Sequence, residues 1–185
     1  MSVLERRMRD VLGGFVARGE VPGLVGLVHH RGETHLVAEG TLESGGGAPG
    51  LLTTPLDYAA FCRMLLAKGH HDGGRLLSRA SVELMTTDHL SPTQKAGSET
   101  FPGEGGWGFG MQVDTRMRHL YTRPGRFGWT GGLGTTAYTD PSEDLVGLLF
   151  TQVAMTSPVP PRFFEDFWTV TYTSLDQRQG PFPGG

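Results

Sequence analysis

Residues 125–152 read GRFGWTGGLGTTAYTDPSEDLVGLLFTQ, and this stretch decides the fold. Leu145 to Val153 is an almost unbroken apolar run, the pattern of a central strand covered on both faces. Asp140-Pro141-Ser142-Glu143-Asp144 before it is a strong turn signal. Gly134 to Thr139 and Phe127 to Trp129 read as the preceding strands. A doubly covered strand demands a helical layer. Pro160 to Leu175 supplies one, with Phe163, Phe164, Phe167, Trp168 and Val170 on a helical repeat.

Working back toward the N-terminus, Arg118 to Thr122 and the alternating Trp107 to Thr115 read as further strands, and the polar, Gly/Pro-rich 90–105 as a surface loop. Ser78 opens a helix over Arg79 to His89. His71-Asp72-Gly73-Gly74 is a turn, and Thr54, Pro55 and Asp57 open a helix that ends near Gly69 and buries Tyr58, Phe61, Met64 and Leu65. Residues 2–18 form an amphipathic helix, with Ser2 and Glu5 at capping-box spacing. A hairpin follows, Gly23 to His30 and Thr34 to Gly40 about a turn at Arg31-Gly32-Glu33. The fold class expected is α/β of the α+β type: an antiparallel sheet of about five or more strands covered by the N- and C-terminal helices. One domain spans 1–175: helix and hairpin over 1–41, a Gly-rich junction over 42–52, and the remaining helices and strands over 53–175. Residues 176–185 read as a flexible tail.

Composition narrows the function. The chain has 185 residues, 29 of them glycine, and a net charge of -3, which argues against a nucleic-acid partner. No apolar run is long enough for a membrane helix, and the charged N-terminus MSVLERRMRDVL has no signal-like core, so the expected compartment is the cytoplasm. The single cysteine, Cys62, falls inside a helix and reads as a small buried hydrophobe. His29 and His30 alternate across a strand and cannot chelate together, and His70-His71-Asp72 lies in a turn, so no metal is expected. Gly103 to Gly106 and Gly131 to Gly134 lack the phosphate-loop pattern, and no cofactor is expected. Ser44, Ser78, Ser81 and Ser91 coexist with seven histidines, but no Gly-x-Ser-x-Gly elbow is present.

Three passages together resemble the α/β domain of penicillin-recognising serine hydrolases: class C β-lactamases, DD-peptidases and β-lactamase-like esterases. They are the opening helix with VPGLVGLVHHRGETHLVAEGT (21–41), GLLTTPLDYAAFCRMLLAKGHHDGGRLLSRASVELMTTDHL (50–90), and GWGFGMQV (106–113) with the 125–152 stretch. The resemblance puts Trp129-Thr130-Gly131 in the place of the family's third motif, on an edge strand lining the site, with Gly132 as oxyanion donor. Packing of a Gly-rich hairpin accounts for the same residues about as well.

The departures are equally specific. The family nucleophile is the serine of Ser-x-x-Lys, one helical turn from its base. The two lysines here, Lys68 and Lys95, follow Leu65 and Pro92 at that spacing. The chain contains no asparagine, so the family's second motif, Tyr-x-Asn or Ser-x-Asn, is missing too. The resemblance places both in a helical domain between the hairpin and the 50–66 region, where this chain has Ser44-Gly45-Gly46-Gly47-Ala48-Pro49-Gly50. The clean junction favours an engineered excision over a natural loss. The expected function is a truncated hydrolase core with no family nucleophile and no turnover. The alternatives are a weak ester or β-lactam hydrolase using another serine, and an interaction or self-associating module. Expected partners are a weakly bound ester or β-lactam and a second copy meeting the surface near 41–56 and 125–135.

Overall fold

The computed structural model describes residues 1–41, 53–97, 105–157 and 159–175. Helix α1 (Val3–Ala17) starts at a closed capping box: Ser2 Oγ accepts the Glu5 N–H at 3.0 Å, and Glu5 Oε2 accepts the Ser2 N–H at 2.8 Å. Its buried face is Leu4, Met8, Leu12 and Phe15. Strands β1 (Gly23–His30) and β2 (Glu33–Gly40) form the hairpin, with His30 opposite Glu33. Helix α2 (Pro55–Leu66) is capped by Thr54, whose Oγ1 accepts the Asp57 N–H at 3.1 Å. A small hairpin, β3 (His70–His71) and β4 (Gly74–Arg75), leads to α3 (Arg79–Met85) and the short α4 (Pro92–Ala96). Strands β5 (Gly106–Trp107), β6 (Gln112–Val113), β7 (Phe127–Gly131), β8 (Thr135–Asp140) and β9 (Leu145–Thr151) precede helix α5 (Arg162–Leu175).

Seven strands make one antiparallel sheet in the order β2-β1-β9-β8-β7-β6-β5. β9 is central, with Leu145 between His30 of β1 and Asp140 of β8. Its side chains divide by period two. Leu145 and Leu149 join the core under α1 and α5, while Val146 and Leu148 join Ala59 and Cys62 of α2 on the opposite face. That division is why the 145–151 run is apolar without alternation. α1 and α5 pack on each other across the first face, with Phe15 edge-on to Phe163 at 5.9 Å.

Gly147 sits between Leu145 and Leu149 on the α5 face. A Cβ there would lie 2.5 Å from Cζ3 of Trp168. The missing side chain is the space the indole occupies, and it sets how closely α5 approaches β9.

The expected sheet and covering helices are present, and several local readings change. Phe61 is 44% exposed. It lies about 100° round the helix from Cys62 and about 160° from Ala59, the residues that face the sheet. Residues 92–96 are helical within the expected loop, because Ser91 and Gln94 close a second capping box behind Pro92. α3 ends at Met85 rather than His89, because Asp88 is drawn to the sheet edge, where its carboxylate accepts the Trp107 N–H at 3.0 Å. Residues 118–122 are a turn, not a strand: Thr122 Oγ1 accepts the N–H groups of Arg118 and His119, each at 2.7 Å. Of the expected strand over 107–115, only β5 and β6 pair, as a hairpin through Gly110. The junction over 42–52 and the tail over 176–185 lie outside the described residues. Among the described residues, no helix is long and apolar enough to cross a membrane.

Gly147→Val is expected to lower stability by about 1–3 kcal/mol, the usual cost of overpacking a filled core. Urea denaturation measures it; an unchanged midpoint would mean α5 moves off β9 without cost.

Candidate functional site

β7 carries the motif, and its shape follows from one close contact. Gly128 faces Tyr138 across β7 and β8, and a Cβ on it would lie 2.0 Å from the Ala137 carbonyl oxygen. Beyond it the strand alternates. Thr130 turns to the α5 face, where its hydroxyl is 2.9 Å from that of Thr136. Thr136 in turn accepts the Trp168 indole N–H at 3.2 Å. Trp129 turns to the other face, edge-on to Trp107 at 4.9 Å, and is 41% exposed. Gly131 and Gly134 close the turn to β8 with a 3.1 Å backbone bond, and the Gly132 carbonyl accepts the Met155 N–H at 2.7 Å. A Cβ on Gly132 would meet nothing within 4 Å, so this position opens on free space.

β7 is not the outermost strand; β6 and β5 lie beyond it. β6 pairs with it only at Phe127 and Gly128. Next to this shortened ladder is a cleft of about 540 Å³, and Trp129, Thr130 and Gly132 all line it, across from Phe164 and Trp168 of α5. Three of the four motif residues singled out from sequence thus share one cavity, with Gly131 between them on the strand.

The cleft floor holds a group that sequence reasoning missed. Arg126, only 2% exposed, donates from Nη1 to Asp114 Oδ2 at 3.0 Å. Gln112 Nε2 donates to the other Asp114 oxygen at 3.4 Å, and Tyr138 donates to Gln112 Oε1 at 3.1 Å. The guanidinium carbon lies 3.8 Å from the Tyr138 ring centroid and 4.4 Å from that of Trp168. Burial pushes the Asp114 carboxyl above its ordinary value, and Arg126 pulls it partly back. Nothing in residues 112–126 marks these polar side chains as buried, since arginine and aspartate are usually exposed.

With this architecture in place, likeness to known proteins becomes informative. The sequence profile of the Beta-lactamase family matches residues 9–162. The chain belongs to the β-lactamase family. Protein Rv1367c of Mycobacterium tuberculosis is 39% identical over an alignment of 131 residues, and the match covers 65% of this chain and 31% of that protein. This β-lactamase-family chain therefore spans about a third of the length of the curated relatives it matches. Among solved structures, the LovD9 mutant of simvastatin synthase from Aspergillus terreus superposes with a TM-score of 0.55 at 22% identity, covering 75% of this chain and 38% of that one. A penicillin-binding protein homologue from Caulobacter crescentus gives a TM-score of 0.50 at 21% identity, covering 62% and 30%. At these identities the likeness is one of fold.

The serines considered as nucleophiles are engaged elsewhere. Ser78 and Ser91 cap α3 and α4, accepting N–H groups at 2.9 and 3.3 Å, and Ser81 Oγ is 2.7 Å from Ser78 Oγ. Ser44 lies outside the described residues. A serine does meet a histidine at Ser2, whose Oγ is 3.1 Å from His35 Nδ1. That hydroxyl caps α1, and neither residue lines the cleft. His29 bonds the Thr34 hydroxyl at 2.8 Å, and burial, then Arg63, lowers its pKa. His70 contacts Arg75, and His71 Nε2 is 3.1 Å from Asp72. Among the described residues, no three His, Cys, Asp or Glu side chains are grouped to hold a metal ion.

Cys62 is buried between α2 and the sheet, and burial pushes its thiol up to about 12. The thiolate is the reactive form, so at pH 8 the folded protein is expected to resist iodoacetamide, with one adduct appearing only after urea unfolding. Intact mass reads both; rapid labelling of folded protein would refute this burial.

Proposed function

We propose that this chain is a β-lactamase-family α/β core that keeps the third-motif strand but carries out no covalent catalysis. The observation that carries the reading is the absence of Ser-x-x-Lys from all 185 residues, beside a cleft lined by Trp129, Thr130 and Gly132. In this reading the 42–52 stretch stands in place of the family's helical domain, and the nucleophile and its base are lost with it. A hydroxyl without a base is a poor nucleophile near neutral pH. What remains is weak binding of an ester or β-lactam carbonyl beside Thr130 and Gly132.

The test is incubation with a fluorophosphonate and with a p-nitrophenyl ester, followed by intact mass and absorbance. No adduct and no turnover above buffer are expected. A single stoichiometric adduct would overturn the reading, and its mapped serine would define a different site.

A second reading has its own observation. Trp129 and, at 51% exposure, Leu133 present large apolar side chains beside the cleft. Exposed apolar surface of this kind favours association. We expect a reversible homodimer in sedimentation velocity, weakened by the double substitution Trp129→Ser and Leu133→Ser. A monomer at the highest soluble concentration would exclude it.

A further inference from the structure

We propose that the cleft between β5–β7 and α5 binds a small organic carboxylate, with the Nε and Nη2 edge of Arg126 as its receptor. A guanidinium is always charged and presents five N–H donors in one plane. Buried donors in folded proteins are nearly always satisfied, because a lost acceptor costs the full desolvation of the group. Among the described residues, Arg126 commits Nη1 alone, to Asp114 at 3.0 Å. Nε and Nη2 are buried and have no hydrogen-bond acceptor among the described residues. Those two nitrogens form the side of the guanidinium that takes both oxygens of a carboxylate in parallel bonds.

The surroundings select the rest of the ligand. Tyr138 and Trp168 pack on the guanidinium and leave bonding to its edges. With Phe164 they give the cleft an aromatic lining, and about 540 Å³ is room for a small planar or acyl body. Charge permits an added anion. The lining holds two carboxylates, Asp114 and Glu165, and two guanidinium groups, Arg126 and Arg118, with His119 among them. Both unsatisfied nitrogens are covered by side chains, so binding requires one to move. Tyr121 is the least buried of the three rings near the guanidinium, 5.7 Å from it on the 118–122 turn. The occupant is thus a monocarboxylate with an apolar body. The inference is independent of any reactive serine, since it needs binding and no turnover.

The experiment titrates the full chain with acetate, benzoate, phenylacetate and decanoate, and with phenylacetamide as a neutral match for phenylacetate. Calorimetry reads affinity, and the ¹⁵N–¹H signal of Arg126 Nε, assigned with Arg126→Lys, reads the site. Expected are saturable binding of at least one carboxylate with an apolar body, movement of the Arg126 Nε signal in step with it, and affinity for phenylacetamide at least about tenfold below phenylacetate. Tyr121→Ala, which removes cover, should bind no more weakly. Saturable binding of none of the four, equal affinity for acid and amide, or saturation without movement at Arg126 Nε would each overturn the proposal. Should Arg126→Lys fail to fold, through-bond assignment from the Arg126 backbone in the unsubstituted chain keeps the same readout decisive.

Discussion

The contact between Trp168 and Gly147 is the constraint on which the rest of the molecule depends. β9 is covered on both faces, so it cannot shed apolar area to water and must be matched by a layer on each side. Gly147 leaves a gap in the middle of that strand, and the indole of α5 fills it. The indole N–H then reaches Thr136, whose hydroxyl meets that of Thr130. One packing contact is thereby linked through two hydroxyls to the strand that carries the motif. The α5 wall of the cleft is fixed because α5 cannot slide along β9 without breaking this series.

A second consequence is the amount of buried polarity tolerated at one sheet edge. Arg126, Asp114, Gln112 and Tyr138 form one network, and Tyr172 donates to Asp140, which also accepts the Ser142 N–H and hydroxyl. Buried ion pairs are seldom net stabilising, because desolvation cancels most of the attraction. Such networks are better understood as specifying one arrangement and penalising alternatives. The second network is closed: the Asp140 carboxylate has three donors. Among the described residues, the first leaves two guanidinium nitrogens unanswered. That contrast separates a structural network from one suited to meeting a ligand.

Much of this was legible in residue order. The capping box of α1, the β1–β2 hairpin, the turn before β9 and the aromatic stripe of α5 are local patterns, and the structure forms them within a few residues of the expected ends. The misreadings have local causes as well. A run at 118–122 with strand-like composition became a turn because one threonine hydroxyl captured two N–H groups. Residues 92–96 carried a Ser-x-x-Gln signal that their polar setting obscured. Phe61 was placed inside by hydrophobicity alone, whereas helix geometry turns it away from Ala59 and Cys62.

Residue order was also sufficient for the strand at Phe127–Gly131, and the absence of Ser-x-x-Lys, a spacing within one helical turn, is plain in the letters. Arg126 and Asp114 are different. They are twelve residues apart, of types normally solvated, and flanked by nothing that predicts burial. Their pairing, the rings around them and the two unanswered nitrogens exist only once α5 is laid across the sheet. Periodicity and capping act between near neighbours along the chain. Desolvation is a property of everything packed around a group, and only the assembled layers decide it.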